Sequence, residues 1–256
     1  MHLQMDEKMG TLPKVVVTTS WDDGHPLDLK LADLLMQYGV KGTFYIATAN
    51  MEREAMDASA IRELSRRWEI GGHTRTHPNL TQLNQTELDE EIRGGKLDLE
   101  DIIGEPLTMF CYPGGYYNWR VRRAVVSSGF IGARCCKRFH LCPGEDPLLM
   151  LTTVAVYPHT MWLQRTGHLV WSKNWRGLNQ FAKMGFPNSW VQIAIRLFQI
   201  VRATGGVWHF WGHSWEIEEN NLWAKLREVL TVVGGWQDIA YMTNGEVMAN
   251  IVSTKE

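Results

Sequence analysis

Short runs of β-branched and aromatic residues alternate with longer amphipathic stretches along most of the chain. Short apolar runs bounded by turn residues are typical of buried strands, and apolar residues spaced three and four apart indicate helices. This alternation predicts an α/β fold, in which a parallel sheet or barrel is covered by helices. The predicted strands span residues 15–19, 42–47, 68–71, 107–112, 130–134, 152–156, 206–211 and 238–242.

The helical stretches fall between these strands. Thr86, followed three residues later by Asp89, resembles a capping box and predicts the start of the third helix. Between residues 158 and 187 the pattern blurs, which fits either an insertion or an irregular segment facing a substrate. No repeat or linker marks a second domain, so we expect a flexible tail over residues 1–12 and a single domain over 13–256. The predicted helices span residues 27–37, 58–67, 87–103, 119–128, 191–203 and 221–233.

Composition and charge narrow the classes of partner. Lysine plus arginine total 26 against 28 for aspartate plus glutamate, and neither sign forms a long run. Nucleic acid and anionic membranes are therefore not the expected partners. The first residues are polar and no apolar stretch approaches the roughly 18 residues of a membrane span, which predicts a cytoplasmic chain without a transmembrane segment. The sequence carries no signal for an oligomeric state.

The cysteine and tryptophan residues add little to the functional prediction. The four cysteines form no repeated C-x-x-C pairs, so a disulfide framework is not expected. Twelve tryptophans are many for this length; most should serve packing, although exposed tryptophans also stack on sugar rings.

Polar residues of functional interest follow four of the predicted strands. Ligands of such folds bind at the carboxyl ends of the strands, so these segments should converge on one rim. The first, TTSWDDGHP, would alone be interpreted as a turn, because Asp-Gly is a common turn dipeptide. The four segments carry Asp22 with Asp23, His73 with His77, the Pro113-Gly114-Gly115 turn, and His213.

The spacing of His73 and His77 lets both imidazoles reach one ion, although two histidines at this spacing are more often incidental. A carboxylate from another strand end would complete a set of divalent-metal ligands that leaves positions open for water and substrate. The second carboxylate would then be free to take a proton from water. Backbone N–H groups of the glycine turn are candidate oxyanion donors, and His213 is a candidate acid.

Each of these residues also has an ordinary structural interpretation. The glycines fit a simple turn, and His213 fits a hydrogen-bonded core histidine. His209 is a lesser candidate for the acid. The glutamates at 216, 218 and 219 are expected to form a solvated start of a helix.

Two of the motifs together resemble the polysaccharide deacetylase, or NodB-homology, family. They are Trp21-Asp22-Asp23-Gly24 and the run from His73 to Pro78, HTRTHP, which matches H-(S/T)-x-x-H-P. The resemblance implies a distorted (β/α)₇ barrel. It also implies that Asp22 is the catalytic base and that Asp23, His73 and His77 bind the metal.

The third family motif, usually R-P-P-Y, is Cys111-Tyr112-Pro113-Gly114 here. The resemblance places the oxyanion and substrate contacts at Tyr112 and Gly114, while the usual arginine is missing. A subset of the family has Y-P-x-G at this point and an Ala-Arg pair after the next strand. We therefore hypothesise that Arg134 replaces the missing charge and steadies Asp22.

The fourth family motif has no clear counterpart. The fifth, leucine-x-histidine at the end of a strand, is similar to Trp211-Gly212-His213 and supports His213 as the acid.

The resemblance implies a hydrolase that removes an N-acetyl group, or less readily an O-acetyl group, from an acetylated saccharide. It implies a divalent metal ion, with zinc the first choice and iron, cobalt or nickel also compatible. One alternative is a hydrolase of cyclic amides or ureides on the same fold, similar to allantoinases and imidases. Another is a glycan-binding module with a vestigial site.

Overall fold

The computed structural model describes residues 12–156 and 189–253, together with residues 182, 185 and 187. The predicted tail over residues 1–12 lies outside these ranges except for Leu12. The stretch at 158–187, for which the sequence left two interpretations open, also lies outside them except for three residues.

In the described part of the chain, eight parallel strands form one sheet around a curled path. Seven follow the order β5-β4-β3-β2-β1-β7-β6, and β8 pairs with β1. The two edge strands of this order, β5 and β6, lie close together. Met150, which precedes β6 in the chain, forms a β-bridge with Arg134 of β5, and Val154 of β6 pairs with Phe210 of β7. The predicted distorted (β/α)₇ barrel is confirmed. The strands are β1 Val15–Asp23, β2 Gly42–Ile46, β3 Glu69–Gly72, β4 Met109–Cys111, β5 Gly132–Arg134, β6 Val154–Ala155, β7 Gly206–Gly212 and β8 Ala240–Tyr241.

Helices connect the strands and cover the outside of the sheet. A π-helical turn, Glu90–Gly94, joins the third and fourth helices into one continuous element. The helices are α1 Asp28–Gln37, α2 Ala58–Ser65, α3 Gln85–Asp89, α4 Gly95–Ile103, α5 Trp119–Ser127, α6 Trp190–Thr204, α7 Ser214–Glu219, α8 Trp223–Val233 and α9 Asn244–Ser253. Among the described residues no helix is long and apolar enough to cross a bilayer.

The central strand β1 separates two environments. Its odd-numbered apolar residues Val15, Val17 and Trp21 belong to the large core beneath the helices. The Trp21 ring meets Phe210 edge to face at 5.8 Å. The even-numbered positions belong to the opposite face, because side chains alternate along a strand. Val16 on that face packs with Tyr45 in a smaller core cluster inside the barrel.

Two details of the predicted elements were wrong. The capping box is formed by Asn84 and Glu87 rather than by Thr86 and Asp89. The Asn84 side chain accepts the Glu87 backbone N–H, and the Glu87 carboxylate accepts the Asn84 backbone N–H. The first strand continues four residues beyond its predicted end, and the polar residues 18–20 within it are fully buried.

Candidate active site

The two neighbouring aspartates occupy the last positions of β1. Asp22 continues the face that points into the barrel, whereas simple alternation would send Asp23 outward. Asp23 instead adopts a positive φ of 84°, an uncommon conformation for a non-glycine residue. This bend brings the second carboxylate to the same cavity as the first.

The histidine loop follows β3 and is held by bonds on both sides. The His73 Nδ1 lies 2.8 Å from the Cys111 carbonyl oxygen. A carbonyl oxygen only accepts, so Nδ1 carries the proton and Nε2 keeps its lone pair for a ligand. The His77 backbone has a positive φ of 66°, and its N–H donates to the Thr74 hydroxyl at 3.0 Å. The His73 ring is therefore fixed in orientation, and the His77 backbone is fixed in position by its loop.

A glutamate of the π-helical turn supports this loop from behind. One oxygen of Glu91 accepts the backbone N–H groups of Arg75 and Thr76 at 3.0 and 2.9 Å, and the other accepts the Thr76 hydroxyl at 2.7 Å. Gly95 allows close packing here, because a Cβ at that position would lie 2.7 Å from the Thr74 backbone.

Three ligand atoms converge at the bend of β1. Asp23 Oδ1 lies 3.6 Å from His73 Nε2 and 3.4 Å from His77 Nε2. Within the described ranges, this buried oxygen has no hydrogen-bond partner. Two imidazole nitrogens and one carboxylate oxygen around an orphaned buried acceptor fit a divalent cation with open coordination positions. The structure thus brings together the three predicted metal ligands.

A second group of possible ligands contains Asp22, His73 and Cys111. In this second group the Arg134 guanidinium already pairs with Asp22, and burial raises the pKa of the Cys111 thiol well above its usual value. The arrangement around Asp23 is therefore the better cation site.

Asp22 pairs with Arg134, which lies at the end of β5. One guanidinium nitrogen donates to Asp22 Oδ2, and both side chains are buried. Burial alone would raise the pKa of Asp22, but Arg134, His73 and His213 together hold it below its usual value. The guanidinium also lies 4.6 Å from the centre of the Trp211 ring. Asp22 is thus kept as a carboxylate at neutral pH, despite the absence of the usual third-motif arginine.

His213 follows β7 on the other side of the site. Its Nδ1 lies 3.2 Å from Glu216 Oε2, and its Nε2 lies 3.9 Å from Asp23 Oδ2. Burial alone would lower the pKa of His213, but Glu216, Asp23 and Asp22 raise it above its usual value. The expectation of a solvated Glu216 was wrong, because the first turn of α7 folds its carboxylate back onto His213. This contact supports a protonated imidazole with Nδ1 as the donor to Glu216.

The sequence did not single out Trp215, although it contacts a predicted ligand. Its indole N–H donates to Asp23 Oδ2 at 2.8 Å and so orients the carboxylate. Arg53 stacks on the Trp215 ring at 3.6 Å and pairs with Glu219 at 3.0 Å. The feature of the sequence that could have identified Trp215 as a site residue is its position, two residues after His213 in a tryptophan-rich segment.

The turn after β4 contains one candidate backbone donor for the site. The N–H groups of Gly115 and Tyr116 are used within the turn, and Pro113 has none. Within the part of the chain that the structure describes, the Gly114 N–H makes no backbone hydrogen bond, and Gly114 lines the cavity. Gly114 is therefore the candidate oxyanion donor of this turn.

The expectation for Tyr112 does not fit the geometry. Its backbone N–H donates to the Arg134 carbonyl at 3.3 Å, and its hydroxyl donates to the Leu148 carbonyl at 3.1 Å. Its side chain is buried in the core. Tyr112 is thus a structural residue beside the site rather than a substrate contact.

His209, the lesser candidate acid, lies in the barrel interior below the cavity. Its Nδ1 donates to the Leu151 carbonyl at 3.1 Å, and its Nε2 lies 2.8 Å from the Ser20 hydroxyl. Burial and the nearby Arg134 lower the pKa of His209 to about 3. A histidine that stays neutral at physiological pH is a poor proton donor, so the geometry favours His213.

A cavity of about 330 Å³ is lined by groups that include Asp22, Asp23, His73, His77, Gly114 and His213. The fold and the site define a parallel α/β-barrel protein with a candidate cation site at the carboxyl end of its strands, flanked by a buried carboxylate and a histidine. Residues 9–132 match the model of the polysaccharide deacetylase family.

Several known proteins are similar to the chain. A peptidoglycan-N-acetylglucosamine deacetylase of Bacillus cereus is 29% identical over 117 residues, which cover 45% of this chain and 54% of that relative. A Mycobacterium smegmatis protein described as a polysaccharide deacetylase superposes with a TM-score of 0.68 at 16% identity, over 96% of this chain and 93% of that one. A family 4 carbohydrate esterase from Streptomyces lividans, solved with acetate, gives a TM-score of 0.56 at 19% identity, over 90% and 92% of the two chains. The chain spans about half the length of the Bacillus cereus relative, and the two solved structures establish the fold.

Proposed function

We propose that this protein is a metal-dependent hydrolase that removes an N-acetyl group from an amino sugar, a glycan or a glycoconjugate. The observation that carries the proposal is the convergence of Asp23, His73 and His77 on one point, with Asp22 and His213 beside it. The match of residues 9–132 to the polysaccharide deacetylase family and the deacetylase named among the relatives support the same reaction. They do not favour the cyclic-amide alternative.

Asp23, His73 and His77 would hold the cation. When bound, a divalent cation supplies Lewis-acid chemistry, because it lowers the pKa of a water molecule from 15.7 to about 7 and polarises the amide carbonyl. Asp22, kept ionised by Arg134, accepts the proton of the attacking water. The Gly114 N–H donates to the oxygen on which negative charge develops.

His213 completes the proposed reaction. Its Nδ1 is bound by Glu216, so Nε2–H is the proton that it can donate to the amide nitrogen as the C–N bond breaks. The products are acetate and a free amine on the sugar. Zinc is the cation that we propose, because two imidazoles and one carboxylate suit it, although iron, cobalt and nickel also accept this ligand set. The cytoplasmic location stays a prediction.

The test is release of acetate from N-acetylglucosamine and its β-1,4-linked oligomers by zinc-loaded protein. Asp22→Asn should lower the rate by at least about a hundredfold, since a positioned acid or base contributes 10²–10⁴-fold. Asp33→Asn is the matched control, because Asp33 makes an exposed ion pair with Arg67 away from the site. Absence of acetate with every acetylated sugar, or equal rates in Asp22→Asn and the parent, would overturn the proposal.

A further inference from the structure

The two histidines of the candidate cation site are held unequally. The His73 ring is fixed by the bond from its Nδ1 to the Cys111 carbonyl oxygen. The His77 backbone is held by Thr74, but the buried His77 Nδ1 makes no hydrogen bond within the described part of the chain. A histidine that binds a metal through one ring nitrogen usually donates the N–H of the other to a carboxylate or a carbonyl, which fixes its tautomer. His77 therefore needs an acceptor for its Nδ1–H.

Glu52, in the loop that follows β2, lies beside this nitrogen. Its Oε2 is 3.2 Å from His77 Nδ1, at ion-pair distance but without the alignment of a hydrogen bond. The Glu52 side chain is 68% exposed, which leaves room for the rotation that aligns it. The other ring nitrogen of His77, Nε2, lies 3.4 Å from Asp23 Oδ1. Glu52 thus meets the side of the ring that faces away from the cation site, as a partner of His77 rather than a further ligand.

The backbone of this loop is tied to the histidine loop. The Ala49 N–H donates to the Arg75 carbonyl at 2.7 Å. One residue further on, the side-chain oxygen of Asn50 accepts the Glu52 N–H at 2.9 Å. The backbone of Glu52 is therefore already placed beside His77, and little conformational entropy remains to be lost when its carboxylate aligns.

The next residue of the same loop supports another proposed ligand. Arg53 stacks on the Trp215 ring at 3.6 Å, and the Trp215 indole N–H donates to Asp23 Oδ2 at 2.8 Å. The loop after β2 thus contacts the outer side of two proposed ligands, one directly and one through Trp215. It carries none of the motif residues from which the sequence predicts the site.

We infer that Glu52 is a positioning residue of the cation site, whose carboxylate accepts the His77 Nδ1–H and so keeps the Nε2 lone pair directed at the cation. The inference rests on the proposed function, because it concerns the cation that this function requires. A carboxylate partner also makes the imidazole a stronger donor to a metal. Exposed ion pairs add little to stability, so the effect of Glu52 falls on cation affinity rather than on folding.

The experiment measures the zinc dissociation constant by competition with a chromophoric chelator. We expect Glu52→Ala to weaken zinc binding by about tenfold, the lower end of the range for such partners, because Glu52 is largely exposed. Glu52→Gln keeps an acceptor oxygen and should lie between Glu52→Ala and the parent. Glu54→Ala is the matched control and should bind zinc like the parent. Glu54 lies two residues further along the same loop, is 75% exposed and pairs with His25 at 4.0 Å.

NMR of the metal-free protein gives a second measurement that depends neither on turnover nor on a bound cation. Long-range proton–nitrogen spectra distinguish the two neutral tautomers of a histidine. At pH 8, well above the ordinary histidine pKa of about 6.5, His77 of the parent should carry its proton on Nδ1. Glu52→Ala should shift His77 toward the Nε2–H tautomer, whereas His73 should keep its tautomer because Cys111 still accepts its Nδ1–H.

Four results would contradict these expectations. Equal zinc affinity in Glu52→Ala and the parent, or an unchanged His77 tautomer, would overturn the inference and leave the proposed function in place. A parent that binds zinc but releases no acetate from any acetylated sugar would overturn the proposed function and leave the role of Glu52 in place. A parent that binds no divalent cation would overturn both.

Discussion

Arg134 and Asp22, separated by 112 positions in the chain, form a buried ion pair at the carboxyl end of the barrel. The parallel order β5-β4-β3-β2-β1 places three strands between them, so the long arginine side chain crosses the barrel interior. Cys111, which stands where the family has its arginine, also contacts Asp22, with its Sγ 3.7 Å from Oδ2.

Replacing Arg134 by alanine should therefore impair both stability and turnover. Loss of one partner of a buried ion pair costs about 3–5 kcal/mol of unfolding free energy, since the other charge stays buried. Arg134 holds the pKa of Asp22 low, so its removal should raise that pKa and move the acidic limb of the kcat/KM profile to higher pH.

Denaturant unfolding and pH-rate profiles measure these two effects. Arg67→Ala is the control, because its ion pair with Asp33 is exposed and contributes about 0–1 kcal/mol. Arg134→Lys should keep part of the turnover if the fold of the alanine variant is lost. Unchanged turnover in Arg134→Ala would show that Asp22 does not depend on this charge.

Replacing Glu216 by glutamine should lower the pKa of His213, because Glu216 helps to raise it. In the proposed reaction His213 acts in its protonated form, so the alkaline limb of the kcat/KM profile should move to lower pH. Glu218→Gln serves as the control, since Glu218 lies on the same helix but pairs with the exposed Lys30. An alkaline limb that stays in place in Glu216→Gln would assign that limb to another group.

The cation site should require Asp23 but not Cys111. A cation present at 100 times its dissociation constant stabilises the fold by about 2.7 kcal/mol, and Asp23→Asn should abolish this gain. Cys111→Ser should keep it, since Cys111 belongs to the alternative group of ligands around Asp22. Metal analysis together with thermal unfolding measures both effects; a reversed pattern would move the cation to the Asp22 group.

The left-handed glycine of the turn after β4 allows a paired test. Gly114 has a φ of 58° and faces the Tyr116 ring, whereas a Cβ added at Gly39, which has a φ of 64°, would meet no described atom within 4 Å. Alanine at either position should cost about 1–2 kcal/mol of stability for the left-handed backbone. Only Gly114→Ala should also reduce acetate release, because its methyl group displaces the ring and the donor N–H. Equal activity losses in the two variants would remove Gly114 from the site.

The buried, neutral His209 should lower the free energy of unfolding in mild acid. Its pKa is depressed to about 3 in the folded protein, against 6.5 for an unperturbed histidine. Below pH 6.5 the unfolded chain takes up a proton that folded His209 refuses, so the fold loses about 1.4 kcal/mol per pH unit until the folded pKa is reached. Unfolding free energies at pH 7.0 and 5.5 should fall less steeply in His209→Gln than in the parent; parallel slopes would contradict this assignment.

The strand and helix pattern was largely predictable because buried parallel strands form short apolar runs. The first strand was predicted too short, since Ser20, Asp22 and Asp23 interrupt the apolar signal although all three are buried. The last helix, α9, was missed. Its Asn244 bonds to Thr18, Thr43 and Tyr45, and these contacts exist only once the barrel has formed.

The candidate site was only partly predictable. Its ligands follow strand ends in recognisable motifs, so their convergence followed from the topology. No glycine at position 23 signals the bend in the sequence. Trp215, which donates a hydrogen bond to Asp23, comes from a helix 192 positions further along the chain. Glu216 was misjudged because helical spacing alone does not show which face of a short helix meets the site.

The support of the histidine loop by Glu91 and the Gly94–Gly95 pair has a consequence for engineering. The histidines that would hold the cation are braced from a helix behind the sheet, whereas Gly114 and Tyr116 lie on the turn after β4. The cation ligands and this turn are thus positioned by separate segments of the chain. Substitutions at the exposed Tyr116 should therefore leave cation binding intact, even where they disturb the neighbouring Gly114.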